Sequence, residues 1–417
     1  MESSHNYLRE DLLVGILARL PVQALLRLRA VCKSWKSIIA SPEFCSLHLS
    51  TNHPSKILLT TRDPGQPTIA NGNHIPEQRY LLLNDDEHLP ADPSCLAPFD
   101  LPFQIPDLNS LHILGSINGL ICLSVTPSYL WDDDVELNIP ILLWNPTIRR
   151  YVCLPDPTFS YAWNSSIEFG YDATMDDYKI MVFRNTTAVP EYHIYSLNSN
   201  TWRRGNFEIG DERRLLFNST GALAGGKMHW LVSNEINFDE MELLYKSSLY
   251  SFDVAEEVFA EVGLPPPEEE LTHPMFTVVR DSLHLVQACT LASEMYWTIW
   301  VKMDAARSCD VYWKKLYRVD VTAVFVCFLK NGELLMDKYP THHLTGRVED
   351  DHGGLAAYDP RDGKFKDLEP LSLSQQRAFG TVHSCNHQES LVLLDRTLID
   401  DLHASWPCEV QIQKNDN

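Results

Sequence analysis

The order of apolar and polar positions changes character near residue 50. Before it, apolar residues recur at helical spacing; after it, they come in short runs separated by Gly, Asn, Asp and Pro. Leu8, Leu12, Leu13, Ile16, Leu17 and Leu20 stand at offsets of 0, 4, 5, 8, 9 and 12, which makes one stripe on a helix of about 3.6 residues per turn. Arg9, Glu10 and Arg19 lie largely off that stripe. Pro21 has no backbone N–H to donate and biases Leu20 away from helical angles, yet it suits the opening of a new helix. A second apolar series follows, Leu25, Leu28, Val31, Cys32, Trp35, Ile38 and Ile39, with Pro42 as the predicted stop. The pattern predicts two or three short helices within residues 1–50, apolar on more than one face. About forty residues cannot bury enough surface to stand alone, so this cassette needs a partner.

Beyond it the chain reads as strands. Polar, Pro-rich stretches at 62–79 and 84–109 predict a linker across 51–110. Ile117–Leu123, Ile141–Trp144, Tyr178–Phe183, Tyr192–Tyr195, Met228–Val232, Leu249–Phe252, Leu283–Val286 and Tyr296–Val301 then carry the apolar and aromatic runs of strands. One unit recurs: an aromatic-bearing strand, a polar turn and a second strand, as in Leu143–Pro155, Tyr195–Arg204, Tyr250–Phe259 and Tyr358–Phe365. Trp144 to Tyr195 is 51 residues and Tyr195 to Phe252 is 57, near the period of about fifty expected of kelch-like propeller blades. With Trp297–Tyr317 as a further hairpin, five blades fall between about 115 and 370. A sixth is expected to close the ring by pairing Ser390–Leu394 with early strands near Lys56–Thr60 and Tyr80–Leu83, which removes exposed sheet edges. The predicted fold is a multidomain α plus all-β chain: a helical unit over 1–50, a linker with possible ring-closing strands over 51–110, a six-bladed β-propeller over 111–400, and a tail over 401–417.

Candidate chemistry is sparse. Gly221–Lys227 has the spacing of a phosphate loop, but Met228 stands where a Ser or Thr should bind magnesium, and a strand follows where a helix should begin, so a blade turn is expected. His342 and His343 are adjacent on an extended segment and point to opposite sides, which suits a surface turn better than a metal site. Gly115–Gly119 fails the nucleophile-elbow pattern because its Ser116 is second rather than third. The acidic run at 131–136 and Pro265–Glu270 read as solvated loops. No catalytic, metal or cofactor residue is expected.

The 417 residues are 44% hydrophobic and 10% aromatic, enough for a large packed globule. The net charge of −22 is uneven: residues 1–49 carry +2 and the remainder −24. An acidic large domain disfavours nucleic acid and favours basic protein partners, and the acidic segments 131–136 and 347–351 suggest a basic target. The ten cysteines show no Cys-x-x-Cys pair and no disulfide framework, so most are expected to be reduced. No run approaches the roughly eighteen apolar residues of a membrane span, and the N-terminus lacks a signal-peptide pattern. A cytoplasmic or nuclear location is expected, in which the sequons at Asn164, Asn185 and Asn218 carry no weight.

Two sets of residues resemble known families. Glu10-Asp11-Leu12-Leu13, Ile16-Leu17, Arg19-Leu20-Pro21-Val22, Val31-Cys32-Lys33-Ser34-Trp35 and Ser41-Pro42-Glu43-Phe44 resemble the plant-type F-box, with Arg9 standing where that family usually has Pro. Gly115–Leu123, Leu143–Arg149, Phe169–Asp172 and Asp177–Lys179 resemble the F-box-associated, kelch-like domain of plant F-box proteins. The resemblance implies a substrate receptor of an SCF-type ubiquitin ligase, docking a Skp-type adaptor and through it a cullin, and doing no bond chemistry itself. It also implies adaptor contacts at Leu8, Leu12, Leu13, Ile16, Leu17, Leu20, Pro21, Leu25, Leu28, Val31, Cys32 and Trp35. A propeller enzyme with the helices as a cap, or a scaffold outside the ligase, remain the alternatives, since propellers also host catalysis.

Overall fold

The computed structural model describes residues 9–51, 55–70, 73–85, 96–98, 109–127, 136–155, 165–184, 191–206, 215–217, 221–234, 247–266, 271–291, 294–304, 311–321, 323–338, 354–368, 383–393, 400–401 and 411–413. Leu8, His342, His343, Asn164, Asn185, Asn218 and the runs 131–135, 267–270 and 347–351 lie outside them.

The N-terminal cassette is four short helices: α1 (Glu10–Leu17), α2 (Val22–Leu28), α3 (Lys33–Ala40) and α4 (Pro42–Ser50). Pro21 is the N-cap of α2, as its fixed φ allows. The Cys32 thiol accepts from the Trp35 amide at the start of α3. Pro42 does not end the helical region as expected. It opens α4, because the Ser41 hydroxyl caps the Phe44 amide at 3.2 Å and proline at the first helical position forfeits no bond. Helices of this length are not stable alone in water. They are held by a shared core of Leu17, Ala18, Val22, Leu25, Ile39 and Phe44.

The strands build six blades among the described residues. Blade 1 joins His383–Gln388, Ser55–Ala70, Asn73–Asp85 and Leu96–Pro98. Blade 2 joins Asn109–Ile117, Leu120–Pro127, Ile141–Asn145 and Arg150–Cys153. Blade 3 runs Ser166–Asp172, Asp177–Arg184, Glu191–Ser196 and Thr201–Asn206. Blade 4 has Leu215–Phe217 and Ala222–Ala224 side by side on Lys227–Asn234, then Ser247–Asp253 and Val258–Val262. Blade 5 runs Leu271–Val279, Ser282–Leu291, Glu294–Asp304 and Val311–Val319. Blade 6 runs Val324–Phe328, Leu334–Lys338, Gly354–Asp359 and Lys364–Asp367. The first strands form the inner ring: Asn109–Ile117 touches both His383–Gln388 and Ser166–Asp172, and Val324–Phe328 returns to His383–Gln388.

Each blade is buried on both faces, which is why its middle strands read as continuous apolar runs rather than an alternation. In Ile141–Asn145 all five residues are buried: Ile141 and Leu143 face blade 3, while Leu142 and Trp144 face blade 1. Ile57 and Leu59 face blade 6 whereas Leu58 faces blade 2. The recurring outer-strand Trp ties neighbours together: Trp202 Nε1 donates to the Pro155 carbonyl at 2.9 Å and Trp313 Nε1 to that of Gly263 at 2.6 Å.

Three expectations change. The ring closes through His383–Gln388, which pairs Leu58 with Cys385 and Lys56 with His387, and not through Ser390–Leu394. The segment 62–79 is no linker but the extended arms of a hairpin, paired from Thr61 with Arg79 out to Ala70 with Asn73. Pro64 and Pro67 fall in the register break between Asp63 and Thr68, where the ladder needs no N–H from them. The tail also pairs: Asp400–Asp401 adds to the outer strand of blade 2, and Gln411–Gln413 pairs Glu136–Asn138. Cys153 is disulfide-bonded, while Cys32, Cys45, Cys122, Cys289, Cys327 and Cys385 are free, in keeping with most cysteines being reduced.

Candidate functional site

The cassette sorts the residues singled out from the sequence into two groups. Leu17 and Leu25 are 1% and 0% exposed and form the cassette's own core, so they offer no surface to a partner. Leu13, Leu20, Leu28 and Trp35 are half-buried against that core. Leu12, Ile16 and Val31 stand in solvent at 54%, 49% and 62% exposure, and Pro21 and Cys32 are exposed with them. Leu12 and Ile16 are one helical turn apart on α1 and share a face. Leu47 of α4, 42% exposed, joins the set of exposed large apolar residues. The helical stripe could not separate these roles, because apolar spacing is the same for a residue facing the core and one facing a partner. Arg9 is the N-cap residue of α1 with φ −57°, and its guanidinium pairs with Asp11 at 2.8 Å in solvent.

The cassette is seated on the propeller. Leu391, 1% exposed, inserts from the chain that follows the ring-closing strand into the helical core, and Ile148 of the blade 2 turn packs beside it. Gln23 Nε2 donates to the Thr147 carbonyl and Gln388 Nε2 to that of Leu49, each at 3.0 Å. Under this junction lies Asn145, wholly buried. Its amide donates to the Ser390 and Val392 carbonyls at 3.1 and 2.8 Å, and its carbonyl oxygen accepts from the amides of Thr147 and Ile148. From sequence, Asn145 was legible only as a blade turn.

The remaining charged groups hold blades to blades. Lys179 donates to Asp172 Oδ2 at 3.0 Å within blade 3, and to the Val254 carbonyl and Glu257 Oε1 of blade 4 at 2.7 and 3.0 Å. Lys227, the lysine of the phosphate-loop-like segment, pairs with Asp253 at 3.2 Å, and Gly225 and Gly226 take positive φ in a hairpin turn before it. That segment is a blade turn. Glu168 on the inner strand of blade 3 accepts from the Ser166 hydroxyl at 2.7 Å, and Gly221 closes over its carboxyl so tightly that any Cβ there would overlap it. Among the described residues no group of three His, Cys, Asp or Glu could hold a metal ion.

Residues 130–394 match the F-box associated beta propeller domain and residues 10–47 the F-box domain. The chain is a member of the F-box-associated β-propeller family. It is 25% identical to the F-box/kelch-repeat protein At3g23880 of Arabidopsis thaliana, over 88% of this chain and 91% of that one. It is likewise 25% identical to the F-box protein At3g07870 of the same plant, over 87% of each. The F-box match covers α1 to α3 and α4 as far as Leu47, so the exposed Leu12, Ile16, Val31 and Leu47 belong to the F-box, and the blade 1 strands Ser55–Ala70, Asn73–Asp85 and Leu96–Pro98 lie outside both matched segments.

Burial also sets the pH response of this F-box protein. His229 is held neutral by burial, with Lys302 nearby, and its pKa falls to about 4; His387 falls to about 4 through burial and Lys56. The unfolded chain binds those protons at the ordinary imidazole value, so stability is lost as pH drops through that value toward 4. Glu168 runs the other way: burial pushes its carboxyl up to about 8, against the hydrogen bonds from Ser166 and Gly221. The unfolded chain releases that proton at the ordinary carboxyl value, so stability falls as pH rises from there to about 8. Glu168→Gln should therefore gain on the wild type in melting temperature as pH is raised from 5 to 8. Parallel melting curves of pH dependence would show that the carboxyl is ionised in the fold.

Proposed function

We propose that this protein is a substrate-recognition subunit of an SCF-type ubiquitin ligase, whose F-box docks a Skp-type adaptor and whose propeller holds a target protein. The observation that carries the reading is the exposed apolar set Leu12, Ile16, Val31 and Leu47 on a cassette whose core is already completed by Leu391. A unit with its own core filled has no internal use for those side chains, and such a surface marks a protein contact. The matched F-box and the F-box proteins among its relatives support the same reading. The receptor does no bond chemistry. It acts by proximity, raising the effective concentration of a target's lysines near a conjugating enzyme held by other subunits. The ligase reading places it in the cytoplasm, the nucleus or both.

Co-purification with a Skp-type adaptor tests this. Ile16→Asp buries a charge in the proposed contact without touching the cassette core, and it should weaken binding by about thirtyfold or more, as loss of a central interface anchor does. Arg9→Pro should strengthen binding, because φ of −57° at Arg9 already suits proline. A folded wild type and a folded Arg9→Pro that both ignore the adaptor would overturn the reading in favour of a scaffold or an enzyme.

The target is proposed to meet the propeller end away from the helices. The turns at Asn118–Gly119 and Asn145–Arg149 lie under the cassette. In an antiparallel blade the connection from the second to the third strand leaves from the opposite end. The acidic residues Asp132, Asp133, Asp134, Glu349, Asp350 and Asp351, which lie outside the described residues, motivate the choice of target. A basic target fits, and its binding should weaken steeply as salt rises. Affinity for an identified target that is indifferent to salt would exclude this part of the proposal.

A further inference from the structure

The chain that leaves the ring-closing strand does more than end the propeller. Within five residues, Glu389 to Leu393, it serves both units of the molecule. Glu389 pairs with Lys56 at 2.9 Å, at the start of the first strand after the helices. Ser390 is fully buried and lies against Gly119, where φ is +80° and a Cβ would overlap the Ser390 hydroxyl. Leu391 points up into the core of the helices, and Leu393 points down into the core between blades 2 and 3. Leu393 takes φ +73°, a left-handed backbone that a leucine adopts only where packing dictates it. The amide of Asn145 holds the carbonyls on both sides of Leu391.

We propose that the strap Glu389–Leu393 is the positioning element that fixes the direction in which the helical cassette faces relative to the propeller, with Leu391 as its key. The direct bonds across the junction, Gln23 to Thr147 and Gln388 to Leu49, each end on a flexible side chain. Leu391 differs: it is a fully buried apolar plug on a backbone that Asn145 pins at two points. With the plug removed, the helices keep their own contacts but lose the one buried residue of their core that, among the described residues, the propeller supplies. The strap also follows the ring-closing strand directly, so opening the ring withdraws the plug. Its value for ubiquitin transfer rests on the receptor reading above: a fixed direction sets where a bound target's lysines lie relative to the adaptor.

The test is independent of that reading. Spin labels at Ser46→Cys on α4 and Ala255→Cys on blade 4, in a Cys32→Ser background that preserves the helix cap, report one inter-unit distance. Wild type should give a single narrow distribution. Leu391→Ala should give a broad or multiple one at a temperature well below its melting point, and Leu391→Met should restore the narrow form. A role limited to stability would lower the melting temperature and leave the distribution narrow, which overturns the proposal. Should Leu391→Ala not fold, the milder Leu391→Val, which trims the plug without emptying its site, is read by the same two outcomes. Adaptor binding does not enter, so failure of the ligase reading leaves this result interpretable.

Discussion

Replacing Lys179 with methionine is expected to destabilise the propeller by about 3–5 kcal/mol, the usual cost of removing one partner from a buried ion pair. Methionine fills the space, so the loss is electrostatic. The Asp172 side chain is 1% exposed and that of Lys179 8%, and without the ammonium Asp172 and Glu257 lose the counter-charge they share while the Val254 carbonyl loses its donor. Arg203 still reaches Glu257, at 2.6 Å, and the Thr174 hydroxyl and amide still serve Asp172, which keeps the effect from being larger. Burial pulls both carboxyls up, but their hydrogen bonds, those from Lys179 included, outweigh it and hold them below the ordinary range. A lowered folded pKa contributes stability that is present above the ordinary carboxylate value and lost as pH falls through the lowered one. The deficit of Lys179→Met should therefore be greatest near neutral pH and shrink in acid. Denaturant unfolding at pH 7 and at pH 3 measures it; an equal deficit at both would assign the loss to packing. In an Asp172→Asn background the same substitution should cost less, because the two residues share one interaction.

Asn145→Ala should cost about 3 kcal/mol or more. It strands two buried carbonyls, Ser390 and Val392, and removes the acceptor of the Thr147 and Ile148 amides, each unsatisfied group costing about 1–3 kcal/mol unless water reaches it. Asn145→Asp keeps the acceptor but sets a carboxylate against two carbonyl oxygens, so it should be worse than alanine at neutral pH and recover in acid as the carboxyl protonates. Thermal unfolding across pH distinguishes the two. Wild-type stability in Asn145→Ala would mean that the strap is held by Leu391 and Leu393 alone.

The helical unit was legible because short apolar stripes, Pro21 and the Val31–Trp35 string are local signals. What they could not show was which apolar residue faces inward. Leu17 and Ile16 are neighbours on the same stripe, yet Leu17 is in the core and Ile16 in water, a distinction made by how the four helices pack on one another and on Leu391. Pro42 was misread for a related reason: proline stops one helix and starts another equally well, and the Ser41 cap decides which. The blades were legible from aromatic strands recurring at 51 and 57 residues. Closure of the ring was legible as a need, but its register was not. Ser390–Leu394 looks more like a strand than His383–Gln388 does, since it is the more apolar.

The amino-acid sequence by itself determined the two-part organisation, the number of blades and the membership of the N-terminal segment in the F-box pattern, since each rests on periodicity within a few dozen residues. Only the tertiary structure decided that the segment after Thr60 pairs as the arms of a hairpin, that a polar strand closes the ring, and that Asn145, Ser390 and Leu391 join the units. The last two depend on contacts between residues hundreds of positions apart. There a polar side chain such as Asn145 is buried because its partners arrive from elsewhere, and an apolar one such as Leu12 stays exposed because none does.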